Sequence, residues 1–199
     1  MLKTIRFAST ELFTVYLSVT FAIVFIFYSI PSSAAQTPGP TNVIIYENPN
    51  HGIKIQYPKD WTASPSGPYN NIIGFYPPLK NLTDIQSASV NLYITTYAPT
   101  ISLDDYTRTY LSTLEKQGVK IDESTPNTLA GKPGHRITYS PSSQETPNAP
   151  VNLKIMETWT VIDNKVYLVS FNADTQKFAT HLPTVQQMLE SLQIQPPPA

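Results

Sequence analysis

Nineteen consecutive residues near the start of the chain, Leu12 to Ile30, carry no charge: LFTVYLSVTFAIVFIFYSI. A helix of that length rises about 28 Å, close to the hydrocarbon thickness of a bilayer. The run is apolar all round, which argues against a helix buried on one face of a globular core. Lys3 and Arg6 precede it, so the positive-inside rule keeps the first residues in the cytoplasm and sends the remainder across. Residues 1–35 therefore read as a signal peptide or membrane anchor. Pro31 breaks the run, and Ser33-Ala34-Ala35 puts small residues ahead of Gln36, as cleavage near Ala35 requires. The length exceeds a signal core of about 7–15 residues, and Tyr16 and Tyr28 sit where aromatic belts form; both features favour a retained anchor. Either way the rest of the chain lies on the outer face of the membrane, single-pass and tethered, or secreted.

Residues 36–43 begin as a Pro/Gly/Thr linker, and residues 196–199 form a proline-rich tail. Between them, 44–195 is long enough for one core. Beyond residue 36 there are eleven Lys+Arg and thirteen Asp+Glu, a net of −2. Such a surface has no electrostatic reason to bind nucleic acid. The chain has no cysteine, which removes disulfides, thiol catalysis and Cys-based metal sites. Seven glycines among 199 residues speak against a parallel α/β enzyme with glycine-rich phosphate loops.

In 44–195 the hydrophobic period switches between two and about 3.6. Ile53, Ile55 and Tyr57 alternate with Lys54 and Gln56, a half-buried strand ended by Pro58, with Trp61 closing one end of the core. Ile72–Tyr76 and Ala88–Tyr97 read as strands, the second with Val90, Leu92 and Ile94 on one face. Ser102 stands three residues before Asp105, a helix-start pattern, and Leu103, Tyr106, Tyr110 and Leu114 recur at helical spacing up to a left-handed stop at Gly118. Val119–Glu123 and Arg136–Ser140 are strands around a turn at 130–134. Val151–Ile162 and Lys165–Asn172 flank Asp163-Asn164, a hairpin turn. Phe178, Leu182, Val185, Leu189 and Leu192 form the stripe of a last helix, with Pro183 expected in its first turn. Adjacent hairpins with one inserted and one terminal helix give an α+β class with a central antiparallel sheet flanked by helices, preceded by one N-terminal hydrophobic helix.

Four segments resemble the PsbP-like family. They are Gly52-Ile-Lys-Ile-Gln-Tyr-Pro-Lys-Asp-Trp61, Thr128-Leu-Ala-Gly-Lys-Pro-Gly-His-Arg-Ile-Thr-Tyr139, the pair Trp159-Thr-Val with Lys165-Val-Tyr-Leu-Val-Ser170, and Met188-Leu-Glu-Ser-Leu-Gln-Ile194. With one hydrophobic segment ahead of them they are most similar to the archaeal and prokaryotic PsbP-related proteins. The resemblance implies an α/β/α sandwich and a non-enzymatic role at an outer membrane face. It supplies no binding residue and no cofactor.

The remaining chemistry is sparse. No nucleotide-binding, zinc-protease or serine-hydrolase motif is present, which leaves a hydrolase without a basis. His51, His135 and His181 are far apart in sequence and read as ordinary polar histidines; a metal site among them is left unassigned. Asp104-Asp105 reads as helix-start acids. Glu157 falls between Ile155 and Trp159 on the apolar face of its strand. There it is either a buried carboxylate of raised pKa, or, the expected case, turned outward by a bulge or neutralised by Arg136 or a Lys. Tyr69, Tyr76, Tyr93, Tyr97, Tyr106 and Tyr110 supply a binding face or core packing. Asn81-Leu82-Thr83 is a sequon, a possible N-glycosylation site at Asn81 in a host that glycosylates exported chains. The resulting expectation is a non-enzymatic, membrane-associated accessory or interaction module that meets another extracytoplasmic or membrane protein. The alternative is a small-molecule or metal-ion binding protein of the same compartment.

Overall fold

The computed structural model describes residues 42–65, 71–79, 88–141 and 152–195, all within one of the chain's two units, 37–199. The run Leu12–Ile30, Ala35, Tyr69, Asn81 and the tail 196–199 lie outside the described residues. Among the described residues no helix is long and apolar enough to cross a membrane. Val43, placed in the linker by composition, is the first residue of a strand.

The elements run β1 (Val43–Asn48), a single 3₁₀ turn, β2 (Ile53–Pro58), β3 (Thr62–Pro65), β4 (Asn71–Tyr76), β5 (Ala88–Thr96), α1 (Leu103–Lys116), β6 (Lys120–Leu129), β7 (Lys132–Ser140), β8 (Leu153–Ile162), β9 (Lys165–Asp174), α2 (Thr175–Ser191) and β10 (Gln193–Ile194). Seven strands form one antiparallel sheet in the order β3-β4-β5-β9-β8-β7-β6. A second, smaller sheet, β1-β2-β10, is a feature that alternation alone did not separate from the first. The class is α+β.

The large sheet is covered on both faces. Tyr106 and Leu114 of α1 pack with Ile137, Tyr139, Ile155 and Trp159 on one side. Phe178, Val185 and Met188 of α2, with Ile53 and Ile55 of β2, pack with Val90, Val169 and Phe171 on the other. The inner strand β8 is consequently buried along Ile155–Thr160 on both faces. Lys154, which alternation marks as solvent-facing, lies on the α2 side. Its Nζ is 5.4 Å from the centre of the Phe178 ring and 3.9 Å from Asp122. Trp61 and Trp159 likewise belong to opposite layers; Trp61 meets His181 of α2 edge-on at 5.8 Å.

Two local readings are revised. The strands about the 130–134 turn are longer than their apolar cores suggest and meet at a two-residue turn, Ala130-Gly131, with φ of 51° and 72°. Two left-handed residues match the twist of a tight hairpin. Pro126 is tolerated because β6 is an edge strand. Pro183 lies inside α2, not at its first turn. The start of that helix is fixed by the Asp174 carboxylate, which accepts from the N–H of Gln176 at 2.9 Å. Pro183 and Ala179, whose carbonyl loses its partner, are both exposed, so water can serve the freed group.

The Ser102 cap is present: its Oγ accepts from the N–H of Asp105 at 3.0 Å. Ser102→Ala should lower stability by about 1 kcal/mol. A urea midpoint unchanged from wild type would show that α1 is held by packing alone.

Candidate functional site

Alternation along β8 directs Ile155, Glu157 and Trp159 toward α1. The register sets Glu157 opposite Ile137 of β7 and Ser170 of β9. From above, the four-residue spacing on α1 stacks Tyr106 and Tyr110, rings 5.6 Å apart, and both meet the edge of Trp159. The Tyr110 hydroxyl donates to Glu157 Oε2 at 2.7 Å. Ser170 and Tyr139 also hydrogen-bond the carboxylate. Glu157 is 7% exposed.

The strand is not bulged at Glu157, and Arg136 does not neutralise it. Arg136 pairs in register with Thr158, one residue along, and so points to the other face of the sheet, where its Nη2 meets Glu123 Oε1 at 3.1 Å. No ion pair among the described residues reaches Glu157. Burial therefore raises its pKa, and the three hydroxyl donors offset that only in part. Burial, and then the carboxylate's charge, push the Tyr110 hydroxyl far above its ordinary value; Tyr93 is raised by the same two causes. What results is a buried acid ringed by hydroxyls, able to hold a proton.

The other candidate residues do not gather here. His51 lies in the 3₁₀ turn, His135 under Trp159 on the α1 side, and His181 on α2 against Trp61. Among the described residues no group of three His, Asp or Glu side chains could hold a metal ion. Asp105 accepts from the Ser102 hydroxyl at 2.7 Å and from Arg108 at 2.9 Å, which together hold its carboxyl below the usual range. Tyr97, Tyr106 and Tyr110 are packing partners of Trp159's layer, whereas Tyr76 is 38% exposed.

A second concavity was not foreseen from the sequence. Between the β6–β7 hairpin and the last turns of α2 lies a cleft of about 520 Å³, lined among others by Asn127, Arg136, Met156, Gln186, Leu189 and Glu190. Asn127 stands opposite Gly134, where there is no room for a side chain. A Cβ at Gly134 would collide with the Trp159 carbonyl and come within 3.0 Å of Asn127 Oδ1. Asn127 Nδ2 donates to Thr158 Oγ1 at 2.6 Å, while its Oδ1 is buried without a partner. The one signal that could have suggested this cleft is the parity of Arg136 and Met156, which puts both on the α2 side.

No family model and no curated protein matches the sequence. Solved structures do share the fold. The cyanobacterial PsbP of Synechocystis is similar over 77% of this chain and 93% of its own, at 10% identity and a TM-score of 0.54. LpqN, involved in cell envelope biogenesis of Mycobacterium tuberculosis, is similar over 78% and 91%, at 16% identity and a TM-score of 0.57. The Ran-binding protein Mog1p of Saccharomyces cerevisiae is similar over 77% and 95%, at 9% identity and a TM-score of 0.51. Likeness at such low identity concerns the fold, and the fold is PsbP-like.

Proposed function

We propose that this PsbP-like domain is a non-enzymatic accessory module that docks on another protein at the outer face of the cytoplasmic membrane, tethered through the segment Leu12–Ile30. The observation that carries the docking role is the edge of the smaller sheet. Among the described residues β1 pairs with β2 on one side only, and its adjacent Ile44 and Ile45 are 38% and 48% exposed. An edge strand with outward apolar side chains and unpaired backbone groups accepts an extended segment of another chain by strand addition. That two proteins of this fold are described as Ran-binding and as involved in cell envelope biogenesis supports an interaction role. The outer-face location rests on Lys3 and Arg6 ahead of the uncharged run.

Each half has its own test. Protease added to intact spheroplasts should digest the domain; full protection would overturn the location. A photo-crosslinking residue at position 45, in cells, should give one discrete protein adduct that disappears when Ile44 is replaced by Lys. An equally strong adduct from the opposite layer, at exposed Glu115 of α1, would mean that β1 is not the docking edge.

A further inference from the structure

We infer that the cleft between the β6–β7 hairpin and α2 binds a short peptide with free amino and carboxyl ends. The inference goes beyond the docking role and uses none of the β1 residues. At about 520 Å³ the cleft is within the ordinary range for small-ligand sites. Its apolar side is Met156 and Leu192, which are buried, with half-buried Leu189 beside them. These suit one aliphatic side chain.

The polar groups define the rest. Asn127 has one amide atom used by Thr158 and the other buried and unpartnered. That second atom is shut in over Gly134, so the side-chain amide within reach of a ligand's backbone amide is that of exposed Gln186, which lines the cleft. Arg136 uses one N–H on Glu123, and a guanidinium carries five donors. Glu190 lines the same cleft and has no ion pair among the described residues.

The signs of these charges select the ligand. Glu123 already offsets part of Arg136's charge, so a simple anion gains little, and Glu190 repels it. A ligand carrying a carboxylate for Arg136 and an ammonium for Glu190 satisfies both. With an amide between the ends and an apolar side chain, this is a dipeptide or tripeptide.

The test uses the full-length protein in detergent micelles with ¹³C-methyl methionine. Met156 lines the cleft, and Met188 lies elsewhere on α2, beside Tyr57 and Pro58. The probes are Leu-Ala, its N-acetyl form and its C-terminal amide. Leu-Ala should shift the Met156 methyl saturably and Met188 much less. Blocking either end should weaken binding about tenfold, the loss of one charge-assisted contact. Arg136→Gln should abolish the preference for carboxylate over amide, and Glu190→Gln the preference for ammonium over acetyl. Gln186→Trp, at an exposed helix position on the rim, should block all three probes while the Met188 signal stays native. Absence of a saturable Met156 shift overturns the proposal. So does binding that ignores end-blocking, or that survives Gln186→Trp in a folded protein.

Discussion

Trp159→Ala is expected to cost roughly 3–5 kcal/mol, from lost transfer energy and the cavity left behind. The indole is fully buried, and its Nε1 donates to Thr107 Oγ1 at 3.0 Å. Tyr106, Tyr110 and His135 surround it at ring distances of 5.9, 5.3 and 5.3 Å. Removing it uncouples α1 from the centre of the sheet, and a loss of that size is a large part of the ~5–15 kcal/mol that holds a domain folded. Trp159→Phe keeps most of the contacts and loses the hydrogen bond, so it should cost about 1–2 kcal/mol. Lys154→Ala, on the same strand but on the α2 face, should cost about 0.5–1 kcal/mol through its contacts with Phe178 and Asp122. Urea melts separate the three. Small and equal losses from Trp159→Ala and Lys154→Ala would mean that β8 does not lie as described.

Glu157 should make stability fall with pH. Burial raises its folded pKa, so over the window from the ordinary carboxyl value up to the raised one the native state keeps a proton that the unfolded chain has released. The contribution is present in full below the ordinary value and is lost as pH rises through the raised one. Glu157→Gln keeps the shape and an acceptor for Tyr110 and removes the charge. At pH 8 it should be more stable than wild type, because the wild-type carboxylate is then charged in a buried site. At pH 4 the gain should vanish. His135, held below its ordinary value by burial, pulls the opposite way in both proteins and cancels in the difference. Parallel stability curves from pH 4 to 8 would show that the carboxyl is hydrated.

What could be read from the sequence is what short-range physics controls. Alternation placed Ile53, Ile55, Val90 and Leu92 in the core; Ser102 marked the start of α1; Asp163-Asn164, with φ of 47° and 64°, makes the β8–β9 turn. Apart from the placing of Pro183, the misreadings come from longer range. β6 reads KIDESTPNTL and, at the sheet edge, needs no apolar face. Lys154 and the threonines of β8 imitate a wet face because alternation cannot tell solvent from a second helix layer. Arg136, expected among the groups that neutralise Glu157, pairs with Thr158, and strand parity puts it on the opposite side of the sheet. The cleft exists only once α2 and the β6–β7 hairpin are brought together, and no local pattern encodes that meeting.

The small sheet joins the two ends of the domain. β2 is flanked by β1, its predecessor, and by β10, with Lys54 paired to Gln193 and Ile53 to Ile194. The pairing of β5 with β9 spans a shorter but still long stretch, Leu92 meeting Val169. A chain threaded across a membrane from its N-terminus would deliver β1 and β2 first, and they would wait for the final residues before their sheet could close. Pairings of such separation also fold slowly. The smaller sheet is thus completed only when the last strand of the domain joins it. A chain cut short by even its last dozen residues would emerge with β2 open on one side, a substrate for quality-control proteases.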